Sequence, residues 1–190
     1  MHKLVALNIP STDVETSVRF YGGLVKEEYA LALHKTVRAE HIPMVGGVWL
    51  WISPPLHPED KQVTPYFAVQ DLQAEVAKAE AAGCRCLVPP SSMVMDESAM
   101  DFFQRSLDSL GVEEDLTLKW GEFSLLLDPA GHPVGLVQVE PHSHVFYGLG
   151  KYAEPGRFYG PIVREHRAGK EFAARLYAKE RSHDDIQLSR

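Results

Sequence analysis

The residues best suited to metal chemistry in this chain are its nine histidines, two of which lie close together. His142 and His144 stand two positions apart just after a predicted strand, so they would share a face if that strand continued. A His-x-His pair can supply two ligands to a divalent metal, and Glu140 or the Glu40-His41 pair would complete such a displaced site. The alternative is that both histidines are polar residues leaving a sheet edge.

Aromatic residues form a second candidate, a surface for a flat or apolar ligand. Trp49 and Trp51 alternate with aliphatic residues in the strand predicted over Val48–Ile52, so their side chains project together. Tyr66 shares a face with Thr64 in a later predicted strand. Aromatic side chains bind such ligands through buried area and stacking. Ordinary core packing is the alternative use of the same residues.

The aromatic residues of this second candidate belong to a short structural unit that occurs twice in the chain. In the first copy, the apolar strand Leu4–Ile9 precedes an amphipathic helix over Thr12–Tyr21, which Gly22-Gly23 is expected to end. In the second, the strand Thr64–Val69 precedes a helix over Asp71–Ala82. Both helices begin at residues that can cap them and carry acidic side chains near their positive ends.

Further strands follow each helix. The predicted strands are Leu24–Thr36, Val48–Ile52, Cys84–Val88, Gly121–Leu127 and Pro133–Val139. A helix is the alternative for the first of these, since Ala and Glu are poor strand formers. Pro89-Pro90 is expected to stop the third, and Asp128–Gly131 is a tight turn between the last two.

Two segments lie outside the repeat. An insertion at 91–119 contains a predicted amphipathic helix, Asp96–Leu110, which is expected either to cover a cavity or to pack against a second copy of the chain as a homodimer. An aromatic-rich extension, 141–190, has a helical pattern at Ile162–Lys179 and must pack against this chain or a partner. The predicted domain is 1–140, made of unit one (1–53) and unit two (62–140).

Composition excludes several classes of protein. The formal net charge is −7 and the chain has no long basic block, which argues against nucleic acid as a partner. No apolar run approaches the roughly 20 residues of a membrane-spanning helix, and the N-terminus does not read as a signal peptide. The two cysteines, Cys84 and Cys86, are adjacent on one face of a strand, which suits reduced thiols. We therefore expect a cytoplasmic protein.

The repeated order of elements, with the motifs TDVETSVRFYGGLV, TPYFAVQDLQAEVAKAEAAG and FSLLLDPAGHPVGLVQ, resembles the vicinal oxygen chelate superfamily. That superfamily includes glyoxalase I, extradiol dioxygenases, fosfomycin resistance enzymes and bleomycin resistance proteins. The resemblance covers roughly residues 4–140. It implies an α+β fold in which two βαβββ units form a cupped mixed sheet around a central pocket, here with an inserted helix and a C-terminal helical extension.

The resemblance also implies a divalent metal held by His, Gln or Glu side chains, and this sequence departs from that pattern. Ala6 stands where the first-strand histidine is expected, Thr64 where the second-unit histidine belongs, and Gly135 in place of the final glutamate. Residues of the Val48–Ile52 strand are Trp or aliphatic. Ala6 and Gly135 have no donor atom and would leave volume for a ligand. Asn8, on the face of Ala6, can offer an orienting hydrogen bond.

We therefore predict a metal-independent small-molecule-binding protein of the glyoxalase/bleomycin-resistance type, without a cofactor, for which aromatic molecules are among the candidate ligands. The predicted pocket residues are Ala6, Asn8, Trp49, Trp51, Thr64, Tyr66 and Gly135. Whether the chain is an enzyme stays open. One alternative is a glyoxalase-like or dioxygenase-like metalloenzyme with a displaced site at His142 and His144. Another is a non-catalytic interaction module that uses the tail or the inserted helix.

Overall fold

Two copies of a strand–helix–three-strand unit lie side by side in one mixed sheet. The computed structural model describes residues 2–25, 31–32, 40–43, 48–94, 100, 104 and 116–153. The elements of unit one are β1 (Lys3–Pro10), α1 (Val14–Val25), β2 (Leu31–Ala32), β3 (Glu40–Pro43) and β4 (Trp49–Ser53). Those of unit two are β5 (Thr64–Ala68), α2 (Leu72–Ala81), β6 (Arg85–Val94), β7 (Lys119–Leu127) and β8 (Pro133–Val139).

The sheet topology repeats in the two units. The strand order is β2-β3-β4-β1-β5-β8-β7-β6. In each unit the last strand lies parallel to the first, β4 beside β1 and β8 beside β5, while the remaining pairs are antiparallel. The units meet where β1 and β5 run antiparallel. This confirms the predicted α+β class with paired βαβββ units.

Strand alternation gives the sheet a helix face and an opposite face, which we call the cup face. On the helix face, α1 covers Leu50 and Ile52, and α2 packs Leu72 and Val76 against Leu126. The largest described cluster, on the cup face, contains Trp49, Trp51, Tyr66, Trp120 and Val137 together with residues of the tail. The faces predicted for the two tryptophans and for the aliphatic residues between them are therefore confirmed.

Side chains cap both helices at the positions that the sequence indicates. The Asp13 carboxylate accepts the backbone N–H of Thr16 at 3.1 Å, and this hydrogen bond lowers the pKa of Asp13. Asp71 accepts from Ala74 N at 2.9 Å. Gln138 Oε1 accepts from Leu72 N at 2.9 Å, which ties the start of α2 to β8.

The predicted end of α1 at Gly22-Gly23 was wrong, because the helix continues to Val25. Glycine inside a helix costs only about 1 kcal/mol relative to alanine. Val14, Val18 and Tyr21 pack on the helix face of the sheet. That packing therefore determines where α1 ends more strongly than the low helix propensity of the two glycines does.

The predicted stop at Pro89-Pro90 was also wrong, because β6 runs from Arg85 to Val94. The strand lies at the end of the sheet and pairs with β7, and its register shifts between Val88 and Ser91, around the two prolines. Proline lacks an N–H and is tolerated on edge strands and at bulges. Residues 91–94 therefore belong to this strand and not to the insertion.

Several predictions fall partly or wholly outside the described residues. Of Leu24–Thr36, the structure describes α1 up to Val25 and strand β2; of Asp96–Leu110, it describes Met100 and Gln104, both in helical conformation. The helix predicted over Ile162–Lys179 lies wholly outside the described residues. Strand β3 was not predicted. Within the described ranges, no helix is both long and apolar enough to cross a bilayer.

Candidate functional site

The centre of the cup face is a row of residues in register across four strands. Ala6 pairs with Trp49 on β4 and with Tyr66 on β5, and Tyr66 pairs with Gly135 on β8. In each unit, one small residue therefore lies beside one aromatic residue where the first and last strands of the unit run parallel. Thr64 lies two residues from this row, so Tyr66, rather than Thr64, is aligned with Ala6 and Gly135.

The Tyr66 ring lies directly over Gly135. A Cβ atom on residue 135 would overlap the ring at Cδ1, Cε1 and Cγ. The same ring packs on Trp51 with a centroid distance of 4.9 Å. The volume that Gly135 was expected to leave for a ligand is thus filled by Tyr66, because a residue with no side chain lets the neighbouring ring settle on its backbone. Burial raises the pKa of Tyr66 and keeps its phenol neutral.

The tail closes one end of the cup face. It forms a short 3-10 turn (Pro141–Ser143), a one-turn helix (His144–Tyr147) and a second 3-10 turn (Gly150–Tyr152). Trp49 Nε1 donates to Phe146 O at 2.8 Å, and Trp120 Nε1 donates to Tyr147 Oη at 2.8 Å. The Trp120 and Phe146 rings stack at 5.2 Å. These described tail residues pack on their own chain.

A lysine holds the last turn of this tail helix. Lys3 Nζ donates to Tyr147 O at 2.6 Å and to Gly148 O at 3.0 Å. These carbonyls lie at a helix C-terminus, where a cation is favourable. Burial lowers the pKa of Lys3. The N-terminal strand and the tail are therefore joined at the end of the cup face that carries Trp49 and Trp120.

The structure does not continue β8 through His142 and His144, so their expected shared strand face was wrong. Pro141 starts a 3-10 turn and His144 begins a helix. The His144 ring lies with Nε2 3.2 Å from Val139 O, and the His142 ring meets Trp120 edge-on. Within the described residues, no three His, Cys, Asp or Glu side chains come together in a group that could hold a metal.

The opposite end of the cup face is polar. Asn8 lies between Trp51 on β4 and Thr64 on β5. Ser53 Oγ donates to Asn8 Oδ1 at 3.1 Å, and Thr64 Oγ1 lies 3.5 Å from Asp60 Oδ1. All five side chains are buried. The expectation that Asn8 shares the face of the aromatic residues therefore agrees with the register.

Asp60 was missed by sequence reasoning. It lies in the proline-rich connector before β5, where an acidic residue is ordinarily solvated, yet it is 1% exposed. Its Oδ2 accepts from Leu56 N at 3.0 Å. Burial raises the pKa of Asp60, although hydrogen bonds from Leu56 and Thr64 act against this. The sequence signal that connects Asp60 to the site is its position four residues before Thr64, the first residue of β5.

Comparisons with solved structures give matches at low identity and with TM-scores below 0.5. No family model matches the chain, and no curated protein matches it. A hypothetical protein from Bacillus halodurans is 12% identical over 73% of this chain and 95% of that chain, with a TM-score of 0.47. A Legionella pneumophila structure described as an NAD-dependent benzaldehyde dehydrogenase is 13% identical over 71% and 98%, with a TM-score of 0.44.

A glyoxalase/bleomycin resistance protein/dioxygenase superfamily member from Vibrio splendidus is 11% identical over 74% of this chain and 100% of that chain, with a TM-score of 0.43. Another structure described as a member of the same superfamily, from Sphaerobacter thermophilus, is 14% identical over 72% of this chain and 96% of that chain, with a TM-score of 0.26. Identities this low do not carry the activities of these proteins over to this chain.

Proposed function

We propose that this protein binds small, flat, largely apolar molecules on its cup face and that it does so without a metal ion. The observation that carries the proposal is the row Trp49–Ala6–Tyr66–Gly135, in which two aromatic residues lie beside Ala6 and Gly135, the small residues that stand where the resemblance implies metal ligands. None of these four side chains offers a carboxylate or imidazole. Aromatic rings instead offer area and stacking to a ligand.

Buried area sets the scale of the expected affinity. A bicyclic aromatic ligand of indole size buries roughly 200 Å², which contributes about 5 kcal/mol at about 25 cal/mol per Å². Such a gain corresponds to a dissociation constant of the order of 0.1 mM before the costs of binding are subtracted. The ligand must displace or repack side chains on this face, since Trp49, Trp51 and Tyr66 are all buried.

Metal independence is tested by the metal content of the full chain. Untagged protein is purified without chelator, incubated with nickel, iron, manganese or zinc, passed through a desalting column and analysed by atomic emission. We expect far less than one equivalent of each metal. Retention near one equivalent would contradict the proposal, and His142→Ala and His144→Ala would then show whether the alternative metalloenzyme is correct.

Ligand binding is tested by intrinsic fluorescence, which is specific for this face. The chain has three tryptophans, and Trp49, Trp51 and Trp120 all lie in the cup-face cluster. Uncharged bicyclic aromatics are therefore expected to quench or shift tryptophan emission in a saturable way. Trp51→Phe should reduce the change, whereas Val63→Ala, at an exposed position, serves as the control. A linear, non-saturating response would count against binding.

A further inference from the structure

The polar end of the cup face holds a buried amide with an unused donor. Asn8 is 2% exposed, and its Oδ1 accepts from Ser53 Oγ. Its Nδ2 is buried and has no hydrogen-bond partner among the described residues. Buried polar groups nearly always have a partner, which is protein, water or ligand. The unused donor therefore indicates that an acceptor atom binds at this point.

A buried carboxylate with spare acceptor capacity lies beside Thr64. Asp60 Oδ2 accepts from Leu56 N at 3.0 Å, whereas the Thr64 hydroxyl lies 3.5 Å from Asp60 Oδ1 and closer, at 3.2 Å, to Gln62 O. An ionised carboxylate has about four acceptor sites, so it can take a further donor. Thr64 is the cross-strand partner of Asn8, and such partners have Cβ atoms about 5 Å apart. Asn8 and Asp60 are thus both neighbours of Thr64.

Two packed aromatic rings, inclined at 54° to each other, lie next to Asn8. Trp51 is the partner of Asn8 on the other side of β1, and its ring packs on Tyr66. One donor, one acceptor and two aromatic rings therefore meet at this end of the cup face. The tail helix covers the other end, where Lys3 and Trp49 bind it.

We propose that Asn8 and Asp60 form a polar subsite for an uncharged aromatic ligand that carries a lactam or amide edge. The ligand carbonyl accepts from Asn8 Nδ2, and the adjacent ligand N–H donates to the Asp60 carboxylate. Trp51 and Tyr66 contact the ring. Anionic ligands are excluded by repulsion from the buried carboxylate. This subsite deepens the binding function proposed above and rests on it.

Three probes with the same bicyclic body test the subsite by titration calorimetry on the full chain. 1H-quinolin-2-one carries the carbonyl and the N–H, its N-methyl derivative keeps only the carbonyl, and naphthalene has neither a donor nor an acceptor. A neutral hydrogen bond contributes about 0.5–1.5 kcal/mol, up to about tenfold in affinity, and a hydrogen bond to a charged group contributes more. We expect affinity to rise by about 3- to 10-fold from naphthalene to the N-methyl derivative, and by about tenfold or more from there to the quinolinone.

Two substitutions locate the effect. Asn8→Leu should remove the preference for the carbonyl, and Asp60→Asn should weaken the preference for the N–H, because an amide oxygen accepts less strongly than a carboxylate. Gln73→Leu makes the same amide-to-leucine change at an exposed position of α2 and should preserve both preferences. Circular dichroism verifies folding, and because the two substitutions probe different bonds, one informative variant suffices if the other does not fold.

The outcomes separate this subsite from the wider binding function. If the three probes bind equally, or if both variants keep the preferences of the native chain, the subsite is wrong while binding on the cup face stands. If no probe binds at saturating concentration, the subsite and the proposed function both fall. Occupation of the Asn8 donor by a bound water alone would also give equal affinities and would overturn the assignment.

Discussion

At the scale of single residues, the cup face depends on how small and large side chains complement each other. Gly135 is required because the Tyr66 ring lies on its backbone, and Ala6 stands between two aromatic residues. The sequence shows which residues these are, but it does not show that the Tyr66 ring lies over Gly135. Residue type shows that a metal ligand is missing, whereas packing decides what fills the space.

Gly135→Ala is expected to destabilise the protein by about 1–3 kcal/mol, because the new methyl group overlaps the Tyr66 ring. Chemical denaturation followed by circular dichroism measures the loss. Tyr66→Ala removes the ring, so Gly135→Ala should cost much less in that background. Equal costs in both backgrounds would show that the ring is not the cause.

Asp60→Asn is expected to change how stability depends on pH. Because burial raises the pKa of Asp60, the native state keeps a proton that the unfolded chain has already lost in the window between the two pKa values. The free energy of unfolding that Asp60 contributes therefore falls as pH rises through that window and stays low above it.

The variant lacks this titration, so its stability relative to the native chain should rise with pH and then level off. Urea denaturation of both proteins between about pH 4 and pH 8 measures the difference. A difference that is constant with pH, or that falls as pH rises, would contradict a raised pKa.

At the scale of elements, sequence patterns identified strands and helices well where local and tertiary preferences agree. The β7–β8 hairpin and α2 have strong periodicity, capping or turn residues, and their predicted positions were confirmed. Two boundaries failed where tertiary context dominated, at Gly22-Gly23 and at Pro89-Pro90. A single sequence does not show that a proline lies on a sheet edge, since the edge is defined by strands far away in the chain.

Lys3→Met is expected to loosen the tail. The substitution keeps much of the apolar stem but removes the hydrogen bonds to Tyr147 O and Gly148 O, a loss of about 1–3 kcal/mol for bonds from a charged donor. Because the tail packs on Trp49 and Trp120, tryptophan emission should shift to longer wavelength as well. Lys61→Met changes an exposed lysine in the same way and is the matched control. If both substitutions had the same effect, the hydrogen bonds from Lys3 to the tail would not be its cause.

At the scale of the whole molecule, the sheet separates the face that the helices cover from the cup face, on which we propose ligand binding. The paired units were predicted from the internal repetition and the hairpin motif together with the resemblance to the vicinal oxygen chelate superfamily, which implies the βαβββ order. The polar subsite was harder to foresee, since Asp60 reaches it from an irregular connector. The sequence left open whether the tail packs on this chain or on a partner, and residues 141–153, which have no clear period, pack on this chain.

Leu72→Ala tests this separation. Leu72 is fully buried on the helix face, and its truncation should lower the free energy of unfolding by about 2–5 kcal/mol. Ligand affinity at a temperature where the variant is folded should stay unchanged, because the substitution lies on the far side of the sheet from the tryptophans. Calorimetric titration of both proteins measures this, and a large loss of affinity in the folded variant would show that the two faces are coupled.

The central place of β1 in the sheet has a consequence for biosynthesis. As the chain leaves the ribosome, unit one contains every strand needed to pair one edge of β1, but its other edge waits for β5. Strand β5 in turn stays open on its far side until β8 emerges, about seventy residues later in translation, since Tyr66 pairs with Gly135. Nascent chains of intermediate length therefore present an unpaired apolar strand, the kind of edge that recruits chaperones or other chains.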